Sequence, residues 1–111
     1  RAVVRLPYHD NIGNGVGVVH GGVTATLMDA AGTLCLRPHL ENPYEDTTAT
    51  ININVNYLEA ADAEEDVVAT GEVVRAGGSV GVASMTAEQG DDLIAVGQGA
   101  YRLFGAGGSG R

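Results

Sequence analysis

The chain has 111 residues, with six basic and fourteen acidic side chains, and its formal net charge is −8. This length is enough for one domain with one core, and a hydrophobic content of 44% argues against disorder. The acidic balance argues against nucleic acid and anionic membranes as partners, since both need a basic surface. The single cysteine, Cys35, excludes an intramolecular disulfide. A chain with one cysteine suits a reducing cytoplasm, and we therefore expect a cytoplasmic protein.

The first part of the chain predicts a strand, a loop and one helix. The weak alternation of Ala2–Tyr8 indicates an opening strand, and the glycines and asparagines of Asn11–Gly17 indicate a loop. A helix begins near Gly21 or Gly22 and runs to about Leu36, because Pro38 stops it. The polar segment 40–46 follows as a second loop.

The predicted helix has two unlike faces. At 100° per residue an apolar face, which we expect to pack on a sheet, is formed by Val23, Leu27, Ala31 and Leu34. The opposite face carries small residues and one carboxylate, namely Gly22, Ala25, Thr26, Asp29, Gly32 and Thr33. Asp29 is the only formally charged residue from Asn11 to Leu36. An acid in such an apolar stretch needs a partner or a chemical task.

The start of the helix carries a second candidate group. His20 lies nine residues before Asp29, half a turn round the helix, so one helix cannot easily aim both at one point. A site that uses both is expected to draw Asp29 from another copy of the chain. Gly21 and Gly22 open the helix, where unpaired N–H groups and the helix dipole can polarise a ligand carbonyl. For an isolated HGG sequence, a plain loop-to-helix turn is the competing interpretation.

The second half of the chain predicts four strands. Thr48–Leu58 alternates strictly: one face holds Ile51, Ile53, Val55 and Tyr57, and the other holds Thr50, Asn52, Asn54 and Asn56. This alternation puts Thr50 on the polar face. Hairpin-type turns at 76–79 and 89–92 join three further strands, Val67–Arg75, Val80–Glu88 and Leu93–Leu103. The order predicts one α+β domain over residues 1–104 in which a sheet wraps the helix, followed by a disordered tail over 105–111.

Taken together, Asn14-x5-His20-Gly21-Gly22-x6-Asp29 and the strand TININVNYLEAA resemble the hotdog-fold acyl-CoA thioesterases of the PaaI-like and Them2-like branch. The stretch VHGGVTATLMD is close to that family's central-helix signature, and the resemblance covers about residues 3–104. It implies an antiparallel sheet of five or six strands wrapped round the helix. It also implies a homodimer with two interface sites, often paired into a tetramer.

The resemblance implies a role for each motif residue in the hydrolysis of acyl-CoA to free acid and CoA. Asp29 is the general base or the nucleophile, and the Gly21 N–H polarises the thioester carbonyl. Asn14 orients substrate or water, His20 supports the thioester end, and Thr50 helps to place the attacking water. Asp29 and Thr50 come from one subunit, and the other three come from its partner.

The resemblance also implies contacts with coenzyme A at Tyr57, Arg75, Gly77, Gly78, Ser79 and Arg102. The three histidines show no metal-ligand spacing. We therefore expect no metal and no cofactor, coenzyme A being part of the substrate. Two alternatives stay open: a hydratase or dehydratase acting on acyl thioesters, and a non-catalytic acyl-CoA-binding module that has no need of Asp29.

Overall fold

The computed structural model describes residues 1–7, 19–43, 46–62 and 64–104. The elements in chain order are β1 Ala2–Leu6, α1 Gly21–Leu36, a 3-10 helix Arg37–His39, β2 Thr47–Tyr57, β3 Val67–Ala76, β4 Val80–Gln89 and β5 Asp92–Phe104. Among these residues the five strands form one antiparallel sheet in the order β1-β3-β4-β5-β2, and α1 lies on one of its faces. The predicted hotdog fold is thereby confirmed. The predicted loop Asn11–Gly17, which includes Asn14, and the tail 105–111 lie outside the described residues.

The helix begins at Gly21, as the HGG sequence predicts, because His20 caps it. The Gly22 N–H donates to His20 Nδ1 at 3.0 Å, and the Val23 N–H donates to the His20 carbonyl at 2.9 Å. The helix ends at Leu36, and Pro38 lies in the 3-10 turn that follows. At sixteen residues, this helix does not meet the length and hydropathy that a membrane-spanning helix needs, and neither does any other in the described part of the chain.

The predicted assignment of helix faces is partly wrong. Leu34 is 47% exposed, whereas Gly32, predicted to face away from the sheet, is buried. The helix approaches the sheet so closely that a Cβ on Gly71 of β3 would lie 2.3 Å from the Ala31 carbonyl oxygen. Only small groups fit at that contact, so the helix turns small residues toward the sheet and leaves Leu34 outside. The buried helix residues are Thr24, Leu27, Met28, Ala31, Gly32, Cys35 and Leu36.

The predicted alternation of β2 is broken by a β-bulge. In the pairing with β5, Thr50 lies opposite Tyr101 and Asn52 lies opposite Ala100, so Ile51 is an extra residue. A bulge of this kind reverses the alternation beyond it. Ile53 packs against the core as predicted, but Ile51 is 57% exposed and Thr50 faces the helix rather than the polar side.

Candidate active site

Asp29 and Thr50 meet where α1 crosses the edge strand β2. The Thr50 hydroxyl lies 3.0 Å from Oδ1 and 3.3 Å from Oδ2 of the half-buried Asp29 carboxylate. A strict alternation would have turned Thr50 to the other face, so this contact depends on the bulge at Ile51. A hydroxyl that donates to a carboxylate fixes its orientation and leaves lone pairs for a further donor, such as a water molecule.

The start of α1 presents unpaired N–H capacity. His20 Nδ1 accepts from Gly22, so the proton of the neutral imidazole is assigned to Nε2. The Gly21 N–H, at the first helical position, has no acceptor among the described residues. The Tyr57 hydroxyl donates to the Gly21 carbonyl at 2.6 Å and ties this end of the helix to the end of β2.

These two groups do not meet within one chain. Asp29 lies nine positions after His20, the cap of α1, which is about 13 Å along a helix axis and half a turn around it. On β2, Tyr57 and Thr50 lie at opposite ends of the strand. One copy of the chain therefore holds a carboxylate–hydroxyl pair and, well separated from it, a helix N-terminus with a histidine.

A pocket of about 380 Å³ opens beside Gly21. Its lining combines polar and apolar surface and includes the buried Thr24 together with Tyr57, and Glu59 is the charged residue among the lining groups that are described. The loop that follows β2 forms one wall and is tied back to the chain before the helix, since the Val19 N–H donates to the Ala61 carbonyl at 2.7 Å.

Gln89, at the end of β4, anchors that same loop. Its side chain is only 6% exposed, and its Oε1 accepts from the Asp62 N–H at 2.8 Å. Its Nε2 donates to the carbonyls of Asp62 at 2.7 Å and Glu65 at 3.3 Å. A buried amide with three backbone partners fixes the loop against the sheet. No motif in the sequence signals this role.

The residues predicted to contact coenzyme A fall into two groups within one chain. Tyr57 lies beside the helix N-terminus, whereas the others lie at the opposite end of the sheet, around the β3–β4 turn and the end of β5. In that turn the Gly77 N–H donates to the Val80 carbonyl at 2.9 Å, and Ser79 accepts from Leu103 at 2.8 Å. This second group consists of Arg75, Gly77, Gly78, Ser79 and Arg102.

The two arginines of that group are exposed on the sheet. The Arg102 guanidinium lies over the Phe104 ring, 5.4 Å from its centroid, which is a cation–π contact. Arg75 follows the β3 bulge at Val74 and pairs with Val82. The described residues contain no group of three or more His, Cys, Asp or Glu side chains that could hold a metal ion.

The sequence did not point to Tyr101, which lies directly under Asp29. Its side chain is fully buried, and its hydroxyl lies 3.4 Å from the Asp29 carbonyl oxygen. Burial, and then the nearby Asp29 carboxylate, raise the pKa of Tyr101, while Thr33 acts in the opposite direction. Burial likewise raises the pKa of the Cys35 thiol.

Comparison with known proteins agrees with this architecture. The family model described as the thioesterase superfamily matches residues 16–96. A Halobacterium salinarum protein named as an esterase is 43% identical over 111 residues, covering 91% of this chain and 72% of that protein. The chain belongs to the thioesterase superfamily, and the predicted enzyme class is confirmed.

More distant relatives and solved structures extend the match. Human acyl-coenzyme A thioesterase 13 is 28% identical over 85 residues, which is 77% of this chain and 59% of that enzyme. A Bacillus halodurans protein crystallised with CoA superposes with a TM-score of 0.83 at 25% identity, over 94% of this chain and 68% of its own. Mouse thioesterase superfamily member 2 gives a TM-score of 0.77 at 25% identity, over 91% of this chain and 79% of its own.

Proposed function

We propose that this chain hydrolyses acyl-CoA thioesters and that Asp29 is the residue that activates water or attacks the thioester directly. The observation that carries the proposal is the Thr50–Asp29 contact, at 3.0 Å and 3.3 Å to the two carboxylate oxygens. Among the described residues the Asp29 carboxylate has no cationic partner, so a hydroxyl orients the carboxylate and no positive charge neutralises it. A base needs both properties: a defined direction and a lone pair that stays available.

The reaction follows from the two groups. Asp29 takes a proton from a water molecule whose oxygen attacks the thioester carbonyl carbon, and the Gly21 N–H stabilises the resulting oxyanion. The C–S bond then breaks, and the thiolate of CoA leaves and takes up a proton. In the nucleophilic variant the carboxylate attacks first and water hydrolyses the mixed anhydride. His20 can donate from Nε2 to the thioester end, and Asn14 is assigned the orienting role that the resemblance implies.

The proposal includes a homodimer, because the two halves of the site are too far apart in one chain. The strand β2 lies at one edge of the sheet, is eleven residues long and contains neither proline nor lysine. An edge strand of this length without such protection is a template for pairing with another strand. Three large exposed hydrophobic side chains lie on or directly after it: Ile51 at 57%, Tyr57 at 53% and Leu58 at 52%.

Antiparallel pairing of two copies of β2 about a two-fold axis at Asn54 satisfies the chemistry. Ile53 then lies opposite the partner's Val55, and the bulged pair Thr50–Ile51 lies opposite the partner's Tyr57. In each of these pairs the two opposite side chains point to the same face of the sheet, as they do in an antiparallel ladder. Since Tyr57 contacts Gly21 and Thr50 contacts Asp29, each Asp29 faces the helix N-terminus of the partner.

Acyl-CoA is proposed as the substrate because the human relative is named for it and the Bacillus halodurans relative was crystallised with CoA. The two-fold axis also brings the Tyr57 end of one subunit toward the Arg102 end of the other, because Arg102 pairs with Ala49 at the start of β2. The predicted CoA contacts are thereby drawn from both chains. We further propose a cytoplasmic dimer of dimers.

Turnover by Asp29→Asn tests the proposal. The amide cannot accept a proton or attack a carbonyl, so kcat for a panel of acyl-CoA substrates is expected to fall by about 10² to 10⁴. Release of free thiol is the measurement. Asp92→Asn is the matched control, because Asp92 is an exposed acid at the start of β5, and it should keep wild-type kcat.

Two results would contradict this function. If Asp29→Asn hydrolyses every acyl-CoA of the panel at the wild-type rate, the assignment of Asp29 is wrong. If the wild-type protein binds acyl-CoA and releases no thiol from any of them, the chain is a binding module rather than a hydrolase.

A further inference from the structure

Tyr101 occupies a slot that two glycines keep open. Its side chain is fully buried on the helix-facing side of β5. A Cβ on Gly32 of the helix would lie 2.4 Å from the Tyr101 hydroxyl oxygen, and a Cβ on Gly99 of the same strand would lie 2.6 Å from it. Real Cβ atoms do not approach an oxygen so closely, so both glycines are required for the phenol to reach this position.

A buried hydroxyl needs a reason to be there, because burial without a good hydrogen bond costs free energy and a phenylalanine would avoid that cost. The Tyr101 hydroxyl is directed at the helix turn that starts at Asp29. It lies 3.4 Å from the Asp29 carbonyl oxygen. The nearby Asp29 carboxylate raises the pKa of the phenol, and the nearby Thr33 side chain lowers it. The Tyr101 hydroxyl is fully buried, so it does not contact a substrate directly.

Tyr101 and Thr50 are direct neighbours across the sheet. The bulge at Ile51 puts Thr50 opposite Tyr101 in the β2–β5 ladder. Thr50 contacts the carboxylate of Asp29 at 3.0 Å and 3.3 Å, while Tyr101 lies under the main chain of the same residue. The cross-strand pair Thr50–Tyr101 therefore contacts both the side chain and the backbone of Asp29.

We propose that Tyr101 is a positioning residue for Asp29: its hydroxyl holds the helix turn that carries the carboxylate at the level of Thr50. This role rests on the proposed function, in which Asp29 acts on the thioester. A phenol is protonated at neutral pH, and the raised pKa of Tyr101 keeps its hydroxyl a hydrogen-bond donor into the alkaline range as well. The sequence requirement for the arrangement is the combination of Gly32, Gly99 and Tyr101.

The variant Tyr101→Phe removes the hydroxyl and keeps the ring in its slot. We expect kcat for acyl-CoA hydrolysis to fall by about tenfold or more, because small displacements of a reacting group are costly. KM should stay within about twofold of the wild type, since no substrate contact is lost. Thr70→Val is the matched control: it removes a hydroxyl from the face of β3 that points away from the helix, and it should leave both constants unchanged.

Two further measurements separate positioning from a merely structural role. In the Asp29→Asn background, Tyr101→Phe should cause no additional loss of residual turnover, because the two residues act as a unit. By ¹³C NMR, the side-chain carboxyl carbon of Asp29 should change its chemical shift in Tyr101→Phe and not in Thr70→Val. Wild-type kcat in Tyr101→Phe, or a loss that multiplies with that of Asp29→Asn, would overturn the proposal.

The two proposals fail in distinguishable ways. If the wild type releases no thiol but the chemical shift of the Asp29 carboxyl carbon changes in Tyr101→Phe, the chain is not a hydrolase and Tyr101 still positions Asp29. An active wild type with an unchanged Asp29 signal and unchanged kcat in Tyr101→Phe refutes positioning and leaves the hydrolase in place.

Discussion

Among the described residues, the Asp29 carboxylate is contacted by the Thr50 hydroxyl and forms no ion pair with an arginine or a histidine. Thr50 donates to it from the edge strand, and Tyr101 lies beneath its backbone. A neighbouring cation would stabilise the charge and make the carboxylate a weaker base, whereas a neutral donor orients it at a smaller cost in basicity. At the scale of single residues, the hydroxyl partner favours a role for Asp29 as a base, whereas a cationic partner would indicate a structural ion pair.

The raised pKa of Tyr101 gives a prediction about alkaline stability. An unfolded chain releases the phenol proton from about pH 10, whereas the folded chain still holds it. The folded state then binds more protons than the unfolded state, so the free energy of unfolding falls as pH rises above 10. The contribution of Tyr101 to this slope is at most about 1.4 kcal/mol per pH unit.

Urea unfolding of the wild type and of Tyr101→Phe between pH 8 and pH 11 measures this effect. Above pH 10 the free energy of unfolding should fall more steeply with rising pH in the wild type than in Tyr101→Phe. The buried Cys35 is present in both proteins, so its own ionisation cancels in the comparison. Parallel curves over the whole range would show that the phenol is not held protonated by the fold.

At the scale of elements, the close approach of α1 to β3 sets which helix face looks inward. Gly71 and Ala31 are in contact through backbone atoms, and Gly32 accommodates the Tyr101 hydroxyl nearby. Close packing between α1 and β3 fixes the rotation of the helix about its axis. That rotation directs Asp29 toward Thr50 rather than into the core. The site therefore depends on small residues that take no part in the chemistry.

Gly71→Ala tests that dependence. Its Cβ would lie 2.3 Å from the Ala31 carbonyl oxygen, and backbone on both sides cannot move out of the way without shifting an element. We expect the free energy of unfolding to fall by about 1–3 kcal/mol, as for overpacked cores. Thermal or urea unfolding is the measurement. Thr70→Ala, on the outer face of the same strand, should change stability by less than about 0.5 kcal/mol. Equal stability of the two variants would contradict the close contact between α1 and β3.

At the scale of the whole molecule, one chain holds two half-sites at separate places on α1 and β2. In the proposed dimer, pairing of two copies through β2 completes both sites at once, because a two-fold axis makes each contact occur twice. The bulge at Ile51 then has a second consequence, because it lets Thr50 face inward opposite the inward-facing Tyr57 of the partner.

Cysteine cross-linking tests the register of this pairing. With the axis at Asn54, the two Asn54 Cα atoms lie about 5 Å apart, which is within the range for a disulfide. Asn54→Cys should therefore form a covalent dimer on oxidation, seen on a non-reducing gel. Gln98→Cys is the matched control, because Gln98 pairs with Asn54 one strand further in. Its two copies would be separated by three strand spacings, about 14 Å.

The dimer model makes two results decisive. Cross-linking of Gln98→Cys without cross-linking of Asn54→Cys would place the interface elsewhere. Sedimentation of the wild type as an 11.3 kDa species alone at micromolar concentration would refute the shared site altogether.

The sequence by itself was sufficient to predict the elements, and it singled out Asp29, His20 and Gly21 as candidate site residues. The bounds of α1 followed from the HGG start and Pro38, and the four later strands followed from alternation and turn residues, because these signals are local. Asp29 stood out as a lone charge, and half a turn of helix separated it from His20. The motif resemblance added Asn14, Thr50, the predicted coenzyme A contacts and the identification of the fold as a hotdog fold.

Only the tertiary structure decided which faces meet. The bulge at Ile51 is invisible in an unbroken alternation, because it depends on the register with β5. The inward turn of Gly32 and the outward turn of Leu34 depend on how closely the helix seats against Gly71. Tyr101 reaches Asp29 across 72 residues of sequence. The register of the strands and the distance between helix and sheet are set by contacts between segments that are distant in sequence. A local sequence pattern therefore cannot predict them.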